Sequence, residues 1–334
     1  LSNYQRVIIN SGKISNKGWE ISVSGVPVKV KNFEWKTIFN WSKNNSMVES
    51  LPEGIDKIQI GSGVYNVKSY AEVGKPYGAI YAKTFKRDAE GYILCQLDGS
   101  PKEGQDYEYL GCVQADWRGG WNNVFRLGNF SFSVMFDFQK GGKFFSQTSI
   151  QSSVDGQSVK SLEGRDADFF SRKILGESDE ERYGFMRPQN ANTPTANGQI
   201  YPDWGRPKGV VLPNCRYDED VEGLAGQQVL GYCTPERYWM HYTSRDISRF
   251  IYDASYVKLR EITVSYDLPK KWLRKTPFQT FRVAAVGRNI ATLFANTPHG
   301  LDPQATSTTG NAQGFERGFN LPSATYGFDI KVSF

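Results

Sequence analysis

The residues Tyr326-Gly-Phe-Asp-Ile-Lys-Val-Ser-Phe334 alternate without a slip between an apolar side chain and a small or charged one. Successive side chains of a strand project to opposite faces. The pattern therefore predicts a strand with Tyr326, Phe328, Ile330, Val332 and Phe334 on one face and Gly327, Asp329, Lys331 and Ser333 on the other. The same period recurs upstream. Phe130, Phe132, Val134, Phe136 and Phe138 oppose Ser131, Ser133, Met135 and Asp137, and Phe33, Trp35, Thr37, Phe39 and Trp41 oppose Glu34, Lys36, Ile38 and Asn40. Weaker alternation marks Trp19 to Ser24, Trp121 to Leu127 and Phe281 to Arg288. Between Tyr256 and Tyr266 the phase changes near Arg260-Glu261, which predicts a β-bulge.

Counting these segments gives about nine antiparallel strands, near 6–28, 33–45, 64–74, 77–87, 117–128, 129–141, 250–267, 278–290 and 323–334. Short links at 29–32, 74–78, 127–129 and 268–277 alternate with long polar connections at 43–64, 87–116, 141–249 and 289–322. Within the third, 158–174 is expected to be helical and Ser178 to Arg182 is an acidic, solvated run. Short turns at one end and long loops at the other are the signature of a transmembrane antiparallel β-barrel. The fold class expected is therefore all-β, with 142–249 as one long extracellular loop. A bacterial barrel has an even strand count and must close, so about nine strands imply that the first ones are absent from this chain.

Composition sharpens this reading. Aromatic residues make up 14% of the chain, and 33 Gly and 15 Pro supply turns, as many short strands require. Hydrophobic residues make up only 39%, and the mean hydropathy is -0.51. No run approaches the ~18 to 20 apolar residues of a spanning helix. Barrel strands need only ~9 to 11 residues with alternate apolar positions, and averaging hides them. The formal charge of +5 comes with no basic stripe, which argues against a nucleic-acid partner. Leu1-Ser2-Asn3-Tyr4 carries no signal-peptide pattern. Cys95, Cys112, Cys215 and Cys233 lack C-x-x-C spacing, and the chain has 2 His, so no zinc site is expected. Local disulfides Cys95–Cys112 and Cys215–Cys233 suit an oxidising compartment, with four reduced thiols as the alternative.

Asn10-Ser-Gly-Lys-Ile-Ser-Asn-Lys-Gly-Trp-Glu20 resembles the "NxGxxxNKGxE" segment of SusC/RagA-type TonB-dependent outer-membrane transporters. Further likenesses follow in family order: Val73-Gly-Lys-Pro-Tyr-Gly78, Gly119-Gly-Trp-Asn-Asn123, Asp253-Ala-Ser-Tyr-Val-Lys-Leu-Arg-Glu261, Tyr266-Asp-Leu-Pro269, Gly287-Arg-Asn289, Asp302-Pro303 and the terminal strand. The resemblance covers essentially all of 1–334. It implies a barrel of roughly 22 strands, with this chain as the C-terminal portion and the plug domain and first strands absent. It also implies outer-membrane lipid around the barrel, a TonB complex engaged through the missing N-terminal part, and a SusD-like lipoprotein over the loops. The implied cargo is an oligosaccharide or a peptide. Phe334 resembles the C-terminal aromatic read by the barrel-assembly machinery.

In that frame Glu34, Lys36, Asp137, Arg282, Asp329 and Lys331 are expected to face the lumen. Loop segments that set aromatic rings beside polar groups, Tyr201 with Trp204 and Arg237, Tyr238, Trp239 and Tyr242, are candidates for ligand or partner contact. Catalysis has little support: there is no G-x-S-x-G and no H-E-x-x-H, and His241 is expected to be a packed loop residue. Asp218-Glu-Asp-Val-Glu-Gly223 fails as an EF-hand because Val229 stands where the bidentate Glu belongs, although a looser calcium loop stays open. No other cofactor is expected. A smaller autonomous barrel or adhesin, and a soluble carbohydrate-binding or hydrolytic β-protein, remain as rival readings.

Overall fold

Long period-two segments run as long strands, and the polar connections between them carry short ones. The computed structural model describes residues 12–162, 210–233, 237–298, 300–306, 310, 313–318 and 322–334. In chain order the first strands are β1 (Lys13–Val30), β2 (Phe33–Ser50), β3 (Lys57–Ser62), β4 (Lys68–Glu72), β5 (Ala79–Ala82), β6 (Ile93–Cys95) and β7 (Glu108–Cys112). Then come β8 (Trp117–Leu127), β9 (Phe130–Lys140), β10 (Lys143–Ser146), helix α1 (Gln147–Val154), β11 (Val210–Tyr217) and β12 (Gln228–Cys233). The last are β13 (Ile251–Asp253), β14 (Tyr256–Asp267), β15 (Thr280–Ala295), β16 (Phe315–Glu316) and β17 (Thr325–Ser333).

Seven of these form one continuous sheet in the order β1-β2-β8-β9-β14-β15-β17. Every neighbouring pair is antiparallel. The expected strands at 64–74 and 77–87 do not join it, so the described wall has seven strands where about nine were expected. Their shortness is the reason. β4 has 5 residues and β5 has 4, well under the ~9 to 11 a spanning strand needs. Ala79-Ile-Tyr-Ala82 is moreover buried on both faces and does not alternate. These strands belong instead to a small sheet, β3-β4-β5-β7. The expected strand 250–267 is split likewise: β13 leaves to pair with β10, and the wall strand begins at Tyr256.

The predicted bulge is present. Pairing of β14 with β9 skips from Leu259 to Glu261, which leaves Arg260 as the inserted residue there, and on the other side Asn289 and Ile290 of β15 stand opposite it.

The long connections fold on one another. β6 runs parallel to β11, and β10 parallel to β16, so segments far apart in sequence share small sheets. Phe85, Ile93, Cys95, Leu212, Cys215, Tyr217, Tyr238, Trp239 and Tyr242 close one core, and Val67, Ile80, Phe145, Ile150, Ile247, Phe250 and Phe315 a second. Of the helix expected at 158–174, a 3-10 turn over Val159–Leu162 is seen and the rest lies outside the described residues, as does the acidic run.

Candidate functional site

Register sorts the wall into two faces. Glu34 lies opposite Arg126 and Lys36 opposite Val124. Asp137 lies opposite Gly120 on one side and Lys258 on the other, Arg282 opposite Asp267 and Lys331, and Asp329 opposite Ala284. Following the pairs across the sheet puts all six sequence-derived positions on one polar face. Arg282 grips Asp267 through two bonds of 2.7 and 2.8 Å, and Lys29 meets Glu34 at 3.2 Å.

The bulge organises the densest part of this face. Arg260 donates through Nε to Asp137 at 3.1 Å and through Nη2 to Gln304 at 2.7 Å, with a further Nη2 contact to Asp137. Its other terminal nitrogen approaches the Asn289 amide oxygen at 3.4 Å. Asn289 holds φ 52°, a left-handed backbone that Asn tolerates better than most residues. Lys258, 1% exposed, donates to both Asp302 oxygens at 2.5 and 2.6 Å and to Gln304 at 3.0 Å. The Gln304 amide in turn donates to the Tyr256 hydroxyl at 2.6 Å. Residues 302–304, from the connection between β15 and β17, are thus tied down onto the wall. The phase change at Arg260 signalled a bulge in the sequence, but nothing there named Gln304 or Asp302 as its partners.

The opposite face is apolar and aromatic. Trp35 stacks on Phe125 and Phe125 on Phe132, with ring centroids 5.9 and 6.1 Å apart. Trp121 stacks on Phe136 in the same way. Many of these side chains are exposed, Trp19 at 72% and Phe328 at 86%. Two of the indole N–H groups on this face are paired: Trp35 donates to Asn123 at 3.0 Å and Trp121 to Thr37 at 2.9 Å. An N–H group packed among apolar side chains needs such an acceptor, because its neighbours offer none.

The loop candidates are placed differently from expectation. Tyr238, Trp239 and Tyr242 are 1%, 2% and 2% exposed in the first loop core, so they hold loops together and present no contact surface. Large aromatics in a long polar connection find their favourable burial against that connection's own neighbours. Arg237 is half-buried, pairs with Asp98 at 2.9 Å and lies over the Tyr242 ring. Tyr201 and Trp204 fall outside the described residues. His241 is exposed, not packed.

The expected disulfides do not form: all four cysteines are thiols. Cys112 sits on β7, in a different sheet from Cys95 on β6. Parallel pairing of β6 with β11 brings Cys95 beside Cys215 instead. The Cys215 contact and burial together push the Cys95 thiol up, and burial pushes Cys233 up to about 12. Both are poor nucleophiles as a result.

In the Asp218–Gly223 turn, Asp218 accepts from Lys86 at 2.9 Å and from Lys102 at 2.8 Å, and Lys102 also reaches Asp220. Burial pushes the Asp218 carboxyl up, but the two ammonium groups and the Glu219 amide outweigh it and hold it at about 2. Among the described residues no cluster of three metal-ligating side chains occurs.

No family model matches the chain. TonB-dependent receptor P3 of Formosa agariphila is 24% identical over 341 residues, covering 96% of this chain and 28% of the receptor. TonB-dependent receptor P26 of the same organism is 28% identical over 41% of this chain and 16% of its own length. Among solved structures, the RagAB peptide importer in its open-open state aligns over 97% of this chain and 29% of its own, with a TM-score of 0.54 at 16% identity. Its closed-closed state gives a TM-score of 0.56 at 14% identity, over 97% and 30%. The resemblance to TonB-dependent receptors of the SusC/RagA type is borne out.

The chain spans less than a third of the length of these receptors and importers. Its sheet is antiparallel throughout, with one polar and one apolar face, and it aligns with part of the importer's fold. Three of the receptor-like motifs, around Asp253 to Glu261, Gly287 to Asn289 and Asp302-Pro303, are far apart in sequence and meet at the Arg260 bulge.

Proposed function

We propose that this chain lines part of an outer-membrane import channel, with its polar face toward a water-filled lumen and its aromatic face toward lipid. The observation that carries the reading is the pairing of the Trp35 and Trp121 N–H groups on a face otherwise made of exposed aromatic and aliphatic side chains. The outer edges of β1 and β17 stand at the two ends of the sheet order, and open edges in lipid leave backbone groups unpaired, so closure calls for further strands. Receptors more than three times as long supply a precedent for such strands.

On this reading the receptor imports an oligosaccharide or a peptide in a TonB-dependent manner, with no bond made or broken. The loop body faces outward beneath a SusD-like surface lipoprotein, and Phe334 marks the strand for barrel assembly. Deleting the receptor gene should abolish TonB-dependent growth on its cargo, and affinity purification should recover a surface lipoprotein. Normal growth on every peptide and glycan source without the receptor, with no lipoprotein recovered, would overturn the proposal. Phe334→Ser should lower the amount of heat-modifiable barrel.

A further inference from the structure

On the polar face, near the loop end of the wall, lies an open groove of about 550 Å³, within the range usual for small-ligand sites. Its polar rim is Glu20 and Ser22 from β1, Asn40 and Ser42 from β2, Arg118 from β8 and Asp137 from β9. Gly120 forms the floor, and the missing side chain there is not demanded by packing. A Cβ at Gly120 would meet only the Phe136 carbonyl at 3.6 Å and the Met135 methyl at 3.9 Å. Gly119, one residue away on the other face, is different: a Cβ there would fall 2.1 Å from the Phe138 ring. One glycine is explained by the sheet, and the other leaves an unfilled hollow.

We infer that this groove is a subsite for the main chain and charged termini of a peptide, a conclusion that rests on the import reading above and narrows its cargo. The groove offers both signs of charge and both senses of hydrogen bond. Ser22 donates to the Asn40 carbonyl oxygen at 2.7 Å, which leaves the Asn40 amide N–H₂ to donate. Arg118 uses Nε on Gln139 at 3.0 Å, a bond that does not engage its two terminal nitrogens. Among the described residues no ion pair engages Glu20, which is exposed. An ammonium terminus suits Glu20, a carboxylate suits the Arg118 fork, and peptide N–H and C=O groups suit Asn40 and the serines. Ile21 and Trp41 also border the groove, but by register both project to the opposite face, so they lay no flat apolar platform across it for a sugar ring. Trp41, Trp121, Phe136 and Phe138 all belong by register to the opposite face.

The test uses the receptor that carries this chain, purified in detergent, with a tryptic casein digest as peptide probe and maltoheptaose as oligosaccharide probe. Peptide binding should fall at least ten-fold in Gly120→Phe and in Arg118→Glu and stay unchanged in Gly120→Ala. Each variant is first checked for heat-modifiable migration, and Arg118→Glu serves if Gly120→Phe does not fold. A Ser42→Cys variant should react with maleimide, more slowly when peptide is present. Peptide binding unchanged in both loss variants overturns the subsite and leaves the import reading standing. Binding of maltoheptaose alone overturns the peptide class. A Ser42→Cys thiol that is unreactive without peptide means another part of the receptor fills the groove, which also overturns the subsite. Failure of import itself shows separately, as unaffected TonB-dependent growth when the receptor is deleted.

Discussion

Lys258 is almost fully buried, and its ammonium lies 2.5 and 2.6 Å from the two carboxylate oxygens of Asp302, 44 residues further along the chain. A buried charge deprived of its partner costs about 3 to 5 kcal/mol. Asp302→Ala should therefore release residues 300–306 from the wall while the barrel still assembles. Hydrogen exchange of that segment is the measurement, with fast exchange expected in the variant and slow exchange in the parent. Lys258→Met, which removes the charge instead of stranding it, should be the milder of the two.

Arg260 is the extra residue of β14 against β9, whereas on the other side Asn289 and Ile290 of β15 stand opposite it. Deleting it should leave β14 alternating without interruption and pairing continuously with β9, with the Asn289-Ile290 bulge of β15 taking up the difference, so the barrel should still fold. What is lost is the link from Asp137 through the guanidinium to Gln304. Faster proteolysis of the β15–β17 connection with unchanged heat-modifiability is expected, and loss of the folded barrel would count against this account.

Asn123 is 3% exposed and accepts the Trp35 indole N–H. Asn123→Leu leaves that donor without an acceptor, at about 1 to 3 kcal/mol. Trp35→Phe in the same chain removes the donor and should restore most of the loss. Urea unfolding of the protein in lipid vesicles reads both effects. A Trp35→Phe/Asn123→Leu double variant no better than Asn123→Leu would mean that the indole N–H is not the cause.

Asp218 titrates at about 2 in the folded loops against an ordinary value of 3.8. Its folded value is depressed, so its stabilising contribution is complete above about pH 4 and is lost as pH falls toward 2. Loop opening, followed by alkylation of the buried Cys95 and Cys233 after brief acid exposure, should rise across that window. Asp218→Asn should show raised alkylation already at neutral pH and a flatter acid response.

The wall was readable in advance because its signal is local. Alternation at Phe33 to Trp41, Phe130 to Phe138 and Tyr326 to Phe334 fixes which side chain goes to which face, and all six polar-face positions follow from it. The phase slip at Arg260 was visible for the same reason. The loops resisted. Short pieces at 64–74 and 77–87 imitate wall strands, and the shortness of both together with the two-sided burial of Ala79–Ala82 excludes them. Rings at Tyr238, Trp239 and Tyr242 look like a binding surface until they are seen buried together with Phe85 and Leu212.

Period-two chemistry written along a few residues dictated the strands, their two faces, the bulge and the antiparallel barrel wall. It needs no information from elsewhere in the chain, because a strand's side chains are sorted by backbone geometry alone. Partnerships between distant segments came from folding in three dimensions: Cys95 beside Cys215, Lys258 on Asp302, and a groove floored by Gly120. Those depend on which strands and loops are brought side by side, and no local pattern encodes a neighbour 40 or 120 residues away.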